Sequence, residues 1–311
     1  MFVVGAPRSG TTMVRHVLSE HPDLAIGPET HFLGTWLERF PRLLDADAAT
    51  FEEFFAEFTA DPGWHRFRIE RDELYRRATA GGVPDARTLF STIMSIHARR
   101  LGKPRVGEKT PNHFAHLDRI LEWYPDARIV FMVRDPRAVL ASVLTLEREW
   151  ARETPMHWAS VWVSTIDHLD RVRDDQRVRV VKYEHLVADP QTELSSLLEF
   201  LDLEPVPGFG AVRSDDAKGT FAYASLNPRG VIRAGSVDRW REVLSRGQIA
   251  DVECIARRHM LREGYTPVRR RTPPHIAARW FAWRAAGWAA ARRGAYYRSR
   301  VRRRQDSRPR E

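Results

Sequence analysis

Two apolar periods alternate along this chain. Residues 2–4 (FVV) form a short unbroken apolar run that predicts a buried strand, and residues 5–10 follow as a glycine-bounded turn. From 11 to 20, Met13, Val14, Val17 and Leu18 fall on one face at helical spacing, so a helix is predicted there. Residues 127–133 (ARIVFMV) predict a second buried strand. Asp135 and Pro136 then open a helix to about residue 146, with Asp135 as N-cap and Pro136 at the first helical position. A helix over about 156–174, a third strand at 177–181 and a helix over 190–201 follow. Residues 31–101 read as mostly helical, with an acidic and aromatic stretch (FEEFFAEF) at 51–58 and a break at 81–84. Residues 205–235 read as loop-rich, and a last helical part spans roughly 237–262. Strands alternating with helices predict an α/β fold of three layers, a central mainly parallel sheet flanked by helices.

Composition changes this picture in two places. The chain has 311 residues, 43% of them hydrophobic, enough for one large core or two modest ones. The formal charge of +9 is unevenly spread: residues 269–311 hold 14 Arg against Asp306 and Glu311, so that segment carries +12 and the rest of the chain −3. We therefore divide the chain into a body, 1–268, and an Arg-rich tail, 269–311. The mildly acidic body argues against nucleic acid as a partner. A single cysteine, Cys254, excludes an intrachain disulfide and fits a reducing compartment. The first residues do not read as a signal peptide, and no apolar stretch of about 18 residues predicts a membrane-spanning helix. A cytoplasmic location is expected, with the inner membrane face as a further expectation from the tail.

Candidate chemistry begins at residues 5–12, Gly-Ala-Pro-Arg-Ser-Gly-Thr-Thr, between a predicted strand and a predicted helix. Glycines allow close backbone approach to a phosphate, and the helix start offers free N–H groups and partial positive charge. Ser9, Gly10, Thr11 and Thr12 supply further donors, and Arg8 supplies a full charge. The pattern is close to G-x-x-x-x-G-K-[ST], but Thr11 stands where an NTPase has Lys, which argues against ATP or GTP hydrolysis. No His, Cys and Asp cluster has metal-ligand spacing, so no metal is expected.

These residues, continued by HPDLAIGPETHFL, resemble the 5′-phosphosulfate-binding segment of sulfotransferases, especially the tyrosylprotein branch and its bacterial relatives. The resemblance implies a P-loop-type fold and 3′-phosphoadenylyl sulfate (PAPS) as co-substrate, with adenosine 3′,5′-bisphosphate as product and a hydroxyl on a sugar, lipid or peptide as acceptor. It extends to IVFMVRDPRAVLASV, similar to the family's 3′-phosphate segment, where Arg134 and Ser142 match. VGEKTPNHF places Lys109 where a lysine approaches the sulfonate. VVKYEHL places Tyr183 at the nucleotide. VIRAGSVDRW is similar to a late loop over the nucleotide, with Arg233 as a further phosphate ligand. By the same resemblance Glu29 matches the catalytic base. The tyrosylprotein branch has Arg two residues later, where this chain has His31. Cytosolic relatives have a His two residues after the lysine, where this chain has Pro111, and His113 stands by as a second candidate base.

Plainer roles remain open for several of these residues. Arg134 also fits a strand-end ion pair with Asp135, Lys109 a surface lysine, Tyr183 a core ring and Glu29 a loop or cap carboxylate. Two other functions also stay open: a P-loop kinase or NTPase, and a non-catalytic nucleotide-binding protein at a membrane. In the tail, Ile276, Trp280, Trp283, Gly287 and Ala291 share one helical face flanked by Arg279 and Arg284. Residues 270–311 thus read either as an interfacial helix on an anionic membrane or as a helix packed on the body.

Overall fold

The structure is a computed structural model that describes residues 1–146, 153–207, 209, 212–215, 220–223, 231–233, 237–269, 274–283 and 285. Five strands form the central sheet: β1 (Phe2–Gly5), β2 (Leu24–Ile26), β3 (Arg105–Lys109), β4 (Ile129–Val133) and β5 (Val178–Lys182). Their order is β2-β3-β1-β4-β5, and every neighbouring pair is parallel. Phe2 lies opposite Ile129 and Val4 opposite Phe131. Alternation along each strand sends one set of side chains to each face. Phe2, Val4, Ile129, Phe131 and Val133 enter the core on one side, while Val3, Val130, Met132 and Val181 enter that on the other. Both faces are covered, which is why β1 and β4 read as continuous apolar runs.

Helices supply the outer layers: α1 (Thr11–Leu18), α2 (Ala48–Ala60), α3 (Ala86–Arg100), α4 (Leu117–Trp123), α5 (Pro136–Leu144), α6 (Pro155–Val172), α7 (Pro190–Phe200) and α8 (Arg246–Arg262). Val14, Val17 and Leu18 of α1 pack beside Leu194, Leu197 and Leu198 of α7 on one face of the sheet. Phe54 and Phe58 of α2, Phe90 of α3 and Trp162 of α6 build the larger core on the other. Asp135 caps α5 through the Arg137 N–H at 2.8 Å, with Pro136 at the first turn, as predicted.

Several expectations are corrected. The loop-rich reading of 205–235 misses a three-stranded antiparallel sheet, β6 (Val212–Asp215), β7 (Thr220–Tyr223) and β8 (Val231–Arg233). Three strands were predicted for the central sheet and five are present. β2 has three residues, and β3 reads RVGEK, with Glu108 and Lys109 buried by pairing that hydropathy does not register. The final helical part divides into a short turn at Trp240–Val243 and α8, which opens with a Ser245–Gln248 capping box.

Residues 274–283 are helical. Ile276 is 5% exposed, and Arg279 pairs with Asp251 of α8. This part of the tail is anchored to the body, while Phe281 stands in solvent. Residues 286–311, which carry the rest of the expected membrane contact, lie outside the described residues. Among the described residues no helix is long and apolar enough to cross a membrane.

Candidate active site

A parallel sheet aligns the carboxyl ends of its strands along one edge, and ligands of such sheets bind there. Gly5, Lys109, Val133 and Lys182 end β1, β3, β4 and β5, so Arg8, Thr110, Arg134 and Tyr183 all emerge at this edge. Glu29 follows the end of β2 by three residues. Candidates up to 175 residues apart in sequence are thus brought together by topology alone.

The loop after β1 turns sharply. Gly5 has φ 143° and a side chain there would meet the Met132 carbonyl oxygen at 2.3 Å; Gly10 has φ 101° and would meet the Tyr183 ring at 2.7 Å. Arg8 adopts φ 70°, a left-handed conformation that costs energy for a residue with a side chain. The N-terminus of α1 that follows carries no side-chain cap. By contrast α2, α3, α5, α6, α7 and α8 each carry one. Ser9 Oγ is buried without a hydrogen-bond partner. An uncapped helix start beside an unsatisfied hydroxyl and an arginine has the donors that a phosphate requires.

The second cluster joins the first. Arg8 Nε donates to Ser142 Oγ at 3.1 Å, across 134 residues. Arg134 Nη1 donates to the Arg8 carbonyl at 3.1 Å, and its guanidinium lies 4.0 Å from the centre of the Tyr183 ring. Burial, then the neighbouring Arg134, push the Arg8 guanidinium below its ordinary pKa, a field that an anion would relieve. The strand-end ion pair considered for Arg134 is not what Asp135 makes: its carboxylate is taken by Arg137 at 2.6 Å. Arg137 is a buried brace. It also holds Glu253 at 2.8 Å and the Thr266 carbonyl at 3.1 Å, and stacks 4.1 Å from the Trp240 ring. Arg233 lies on β8, and its side chain lies outside the described residues.

Glu29 sits between Lys109 and His31. Lys109 Nζ donates to Glu29 Oε1, and His31 Nε2 lies 3.3 Å from Oε2. Lys109 is 2% exposed and also donates to Thr12 Oγ1 at 3.3 Å, which sets it against solvent and reaches it toward the α1 N-terminus. Burial alone would raise the Glu29 carboxyl, but the His31 hydrogen bond and the Lys109 charge outweigh it and hold the pKa at about 2. Burial pulls the Lys109 ammonium below its ordinary value despite Glu29.

The Glu29 turn is bolted down from behind by a buried network. Glu108 accepts from Thr30 Oγ1 at 3.0 Å and from Thr110 Oγ1 at 2.5 Å. Thr110 Oγ1 in turn accepts from the Thr30 N–H at 3.1 Å and the His31 N–H at 3.4 Å. His113 belongs to this network and is fully buried. Its Nε2 accepts from the Leu33 N–H at 3.3 Å and its Nδ1 faces Glu108 Oε2 at 3.0 Å. Both ring nitrogens are engaged away from solvent, so His113 braces the Glu29 turn from behind. The next residues, Phe32–Trp36, form a π-helical turn entered through His31 at φ 51°.

The helical region 31–101 forms a cleft that opens on Glu29. It encloses about 280 Å³ and is walled by Trp36, Phe58, Trp64 and Phe67, with Arg66 and Asp61 polar. The aromatic stretch at 51–58 contributes Phe58, which packs ring to ring with Trp36 at 5.2 Å. Sequence reasoning missed Arg15: its Nε is buried without a hydrogen-bond partner, and burial lowers its pKa against the pull of Glu29.

One acid-pH consequence follows from Glu29. Its folded pKa is depressed, so it stabilises the fold above about 4.5, and that contribution is lost as pH falls toward about 2. The urea midpoint of the protein should therefore fall over this window, and Glu29→Gln should flatten the fall. An equal slope in both proteins would contradict the pairing.

Comparisons with known proteins point to one family. The sequence profile described as Sulfotransferase family matches residues 1–207. Protein-tyrosine sulfotransferase A of Caenorhabditis elegans is 26% identical over 213 residues, covering 65% of this chain and 50% of that protein. Nodulation protein NoeE of Sinorhizobium fredii is 27% identical over 273 residues, covering 78% and 60%. The chain thus spans between half and two thirds of the length of these relatives. Among solved structures, the sulfotransferase domain from the curacin biosynthetic pathway superimposes with a TM-score of 0.57 at 20% identity, over 85% of this chain and 97% of that one. The sulfotransferase domain of the Synechococcus PCC 7002 olefin synthase gives 0.51 at 21% identity, over 79% and 88%. These two likenesses establish the fold, a parallel sheet between helical layers. With the profile spanning every strand of that sheet, the chain belongs to the sulfotransferase family.

Proposed function

We propose that this protein transfers a sulfonate group from PAPS to an acceptor hydroxyl, with Glu29 as general base. The observation that carries the reading is the position of Lys109, whose ammonium donates both to Glu29 and to Thr12 at the start of α1. One buried cation thus links an anion cradle to a carboxylate, the pairing that in-line transfer to a hydroxyl requires.

In the proposed reaction a bond forms between the acceptor oxygen and sulfur. The bond from sulfur to the 5′-phosphate oxygen breaks, and its electron pair leaves with the phosphate. Arg8, Ser9 and the α1 N–H groups bind the 5′-phosphate and steady the charge that develops there. Arg134, stacked on Tyr183, and Ser142 hold the 3′-phosphate. Glu29 takes the hydroxyl proton. The aromatic walls beside Glu29 suit a hydroxyl carried on a ring, sugar or phenol. Arg15 and Arg66 favour an acceptor with a negative group near that hydroxyl.

Thermal stabilisation tests the donor assignment. At 100 times its dissociation constant, adenosine 3′,5′-bisphosphate should stabilise the protein by about 2.7 kcal/mol. ADP and ATP at the same concentration should do much less, and the preference should vanish in Arg134→Ala. Stabilisation by ATP that ignores the 3′-phosphate would return the site to a kinase.

A further inference from the structure

Glu29 is poorly disposed to take a proton as the site stands. One carboxylate oxygen accepts from Lys109 and the other faces His31, so a hydroxyl must share an oxygen that another group already holds. A carboxylate held at about 2 also has little affinity for a proton at neutral pH. Something must loosen this arrangement before transfer, and of the two partners only the cation is placed to respond to the donor.

That cation is Lys109. An ammonium carries three protons and can serve several acceptors at once. Here it reaches Glu29 on one side and Thr12, in the first turn of α1, on the other. Its side chain is 2% exposed, so water does not compete for it. An anion set against the α1 N-terminus competes with Glu29 for the same charge. His31 has no such second duty: its backbone N–H is held by Thr110 Oγ1 at 3.4 Å, which keeps its ring beside Glu29.

We propose that Lys109 couples the two halves of the site, so that filling the phosphate cradle draws Lys109 toward the donor and frees Glu29 to act as base. This rests on the sulfonate-transfer reading above and deepens it: the donor arms the base, and His31 is the positioning residue that keeps Glu29 in place while Lys109 is engaged elsewhere. Coupling between two sites is reciprocal. If the donor weakens the hold of Lys109 on Glu29, the charge of Glu29 must weaken the binding of the donor. A base that merely sits in the acceptor cleft has no such effect on the nucleotide.

The test is a binding cycle with adenosine 3′,5′-bisphosphate, measured by titration calorimetry on the wild type, Glu29→Gln, Lys109→Gln and the double variant. Glu29→Gln should bind the nucleotide more tightly, by roughly 5- to 50-fold. Lys109→Gln should bind it more weakly, and the double variant should match Lys109→Gln, because the gain travels through Lys109. Glu29→Asp, which draws the carboxylate back from Lys109, provides a second variant and should tighten binding to a smaller degree. Weaker binding in Lys109→Gln with no gain in either Glu29 variant overturns the coupling alone. Unchanged binding in Lys109→Gln overturns the coupling and removes Lys109 from the donor site. A wild type that does not prefer this nucleotide to ADP instead sinks the functional reading itself.

Discussion

Glu29→Gln should slow sulfonate transfer by about 10²- to 10⁴-fold, the usual contribution of a positioned general base. This corresponds to about 3–5 kcal/mol of barrier. The amide keeps the shape of the side chain and an oxygen that can accept from Lys109, so the defect is in proton transfer. The readout is formation of adenosine 3′,5′-bisphosphate from PAPS with a phenolic acceptor. The size of the defect should depend on the acceptor. A phenol acidic enough to be ionised at the assay pH has no proton to lose, so Glu29→Gln should approach wild-type rates with it. A defect of the same size for acidic and weakly acidic phenols would assign Glu29 to binding or structure.

Arg137→Ala should cost about 3–5 kcal/mol of stability, the loss typical of removing one partner from a buried ion pair. The guanidinium is 4% exposed and holds Asp135 and Glu253, both buried. Alanine leaves two carboxylates facing a cavity with no counter-charge. It also removes the stack on Trp240 and the bond to the Thr266 carbonyl. Single domains are stable by only about 5–15 kcal/mol, so the variant should unfold at a much lower urea concentration. Neutralising the acids as well, with Asp135→Asn and Glu253→Gln, should recover part of the loss. A urea midpoint equal to that of the wild type would show that the three charges are not buried as a unit.

Much of the donor side was legible from local pattern. β1, the glycine loop and α1 announce themselves because periodicity changes from continuous apolar to helical within ten residues. Asp135-Pro136 marks the start of α5 by cap chemistry that is local by nature. The acceptor side was less legible because its order is set at long range. Glu108 reads as a surface acid, yet it is 1% exposed, and its partner Thr30 lies 78 residues away. His113 looks as available as any histidine until its two nitrogens are found inside the same network. Lysine is scarce in this chain, at positions 103, 109, 182 and 218 only. Lys103 reaches the carbonyls of Ser19, His21 and Leu24 at 2.6, 2.8 and 3.1 Å, and Lys182 that of Glu263 at 2.6 Å. In a chain that otherwise uses arginine, these two lysines close backbone ends, where a compact ammonium fits and a planar fork does not. Among the described residues Lys109 is the lysine that pairs with a carboxylate.

The brace through Arg137 sets an order on how the molecule can be made. Every strand of the central sheet and both phosphate motifs are synthesised by residue 182. Glu253 lies 116 residues beyond Arg137, and the Thr266 carbonyl 129 residues beyond it. At about 5–20 residues per second, a ribosome exposes the finished sheet on the order of 10 s before these partners exist. During that interval Asp135 and Arg137 have only each other, and the turn that carries Arg134 lacks its outer support. A nascent chain stalled in this interval should have the sheet and yet hold the nucleotide poorly, and binding should mature only as α8 docks.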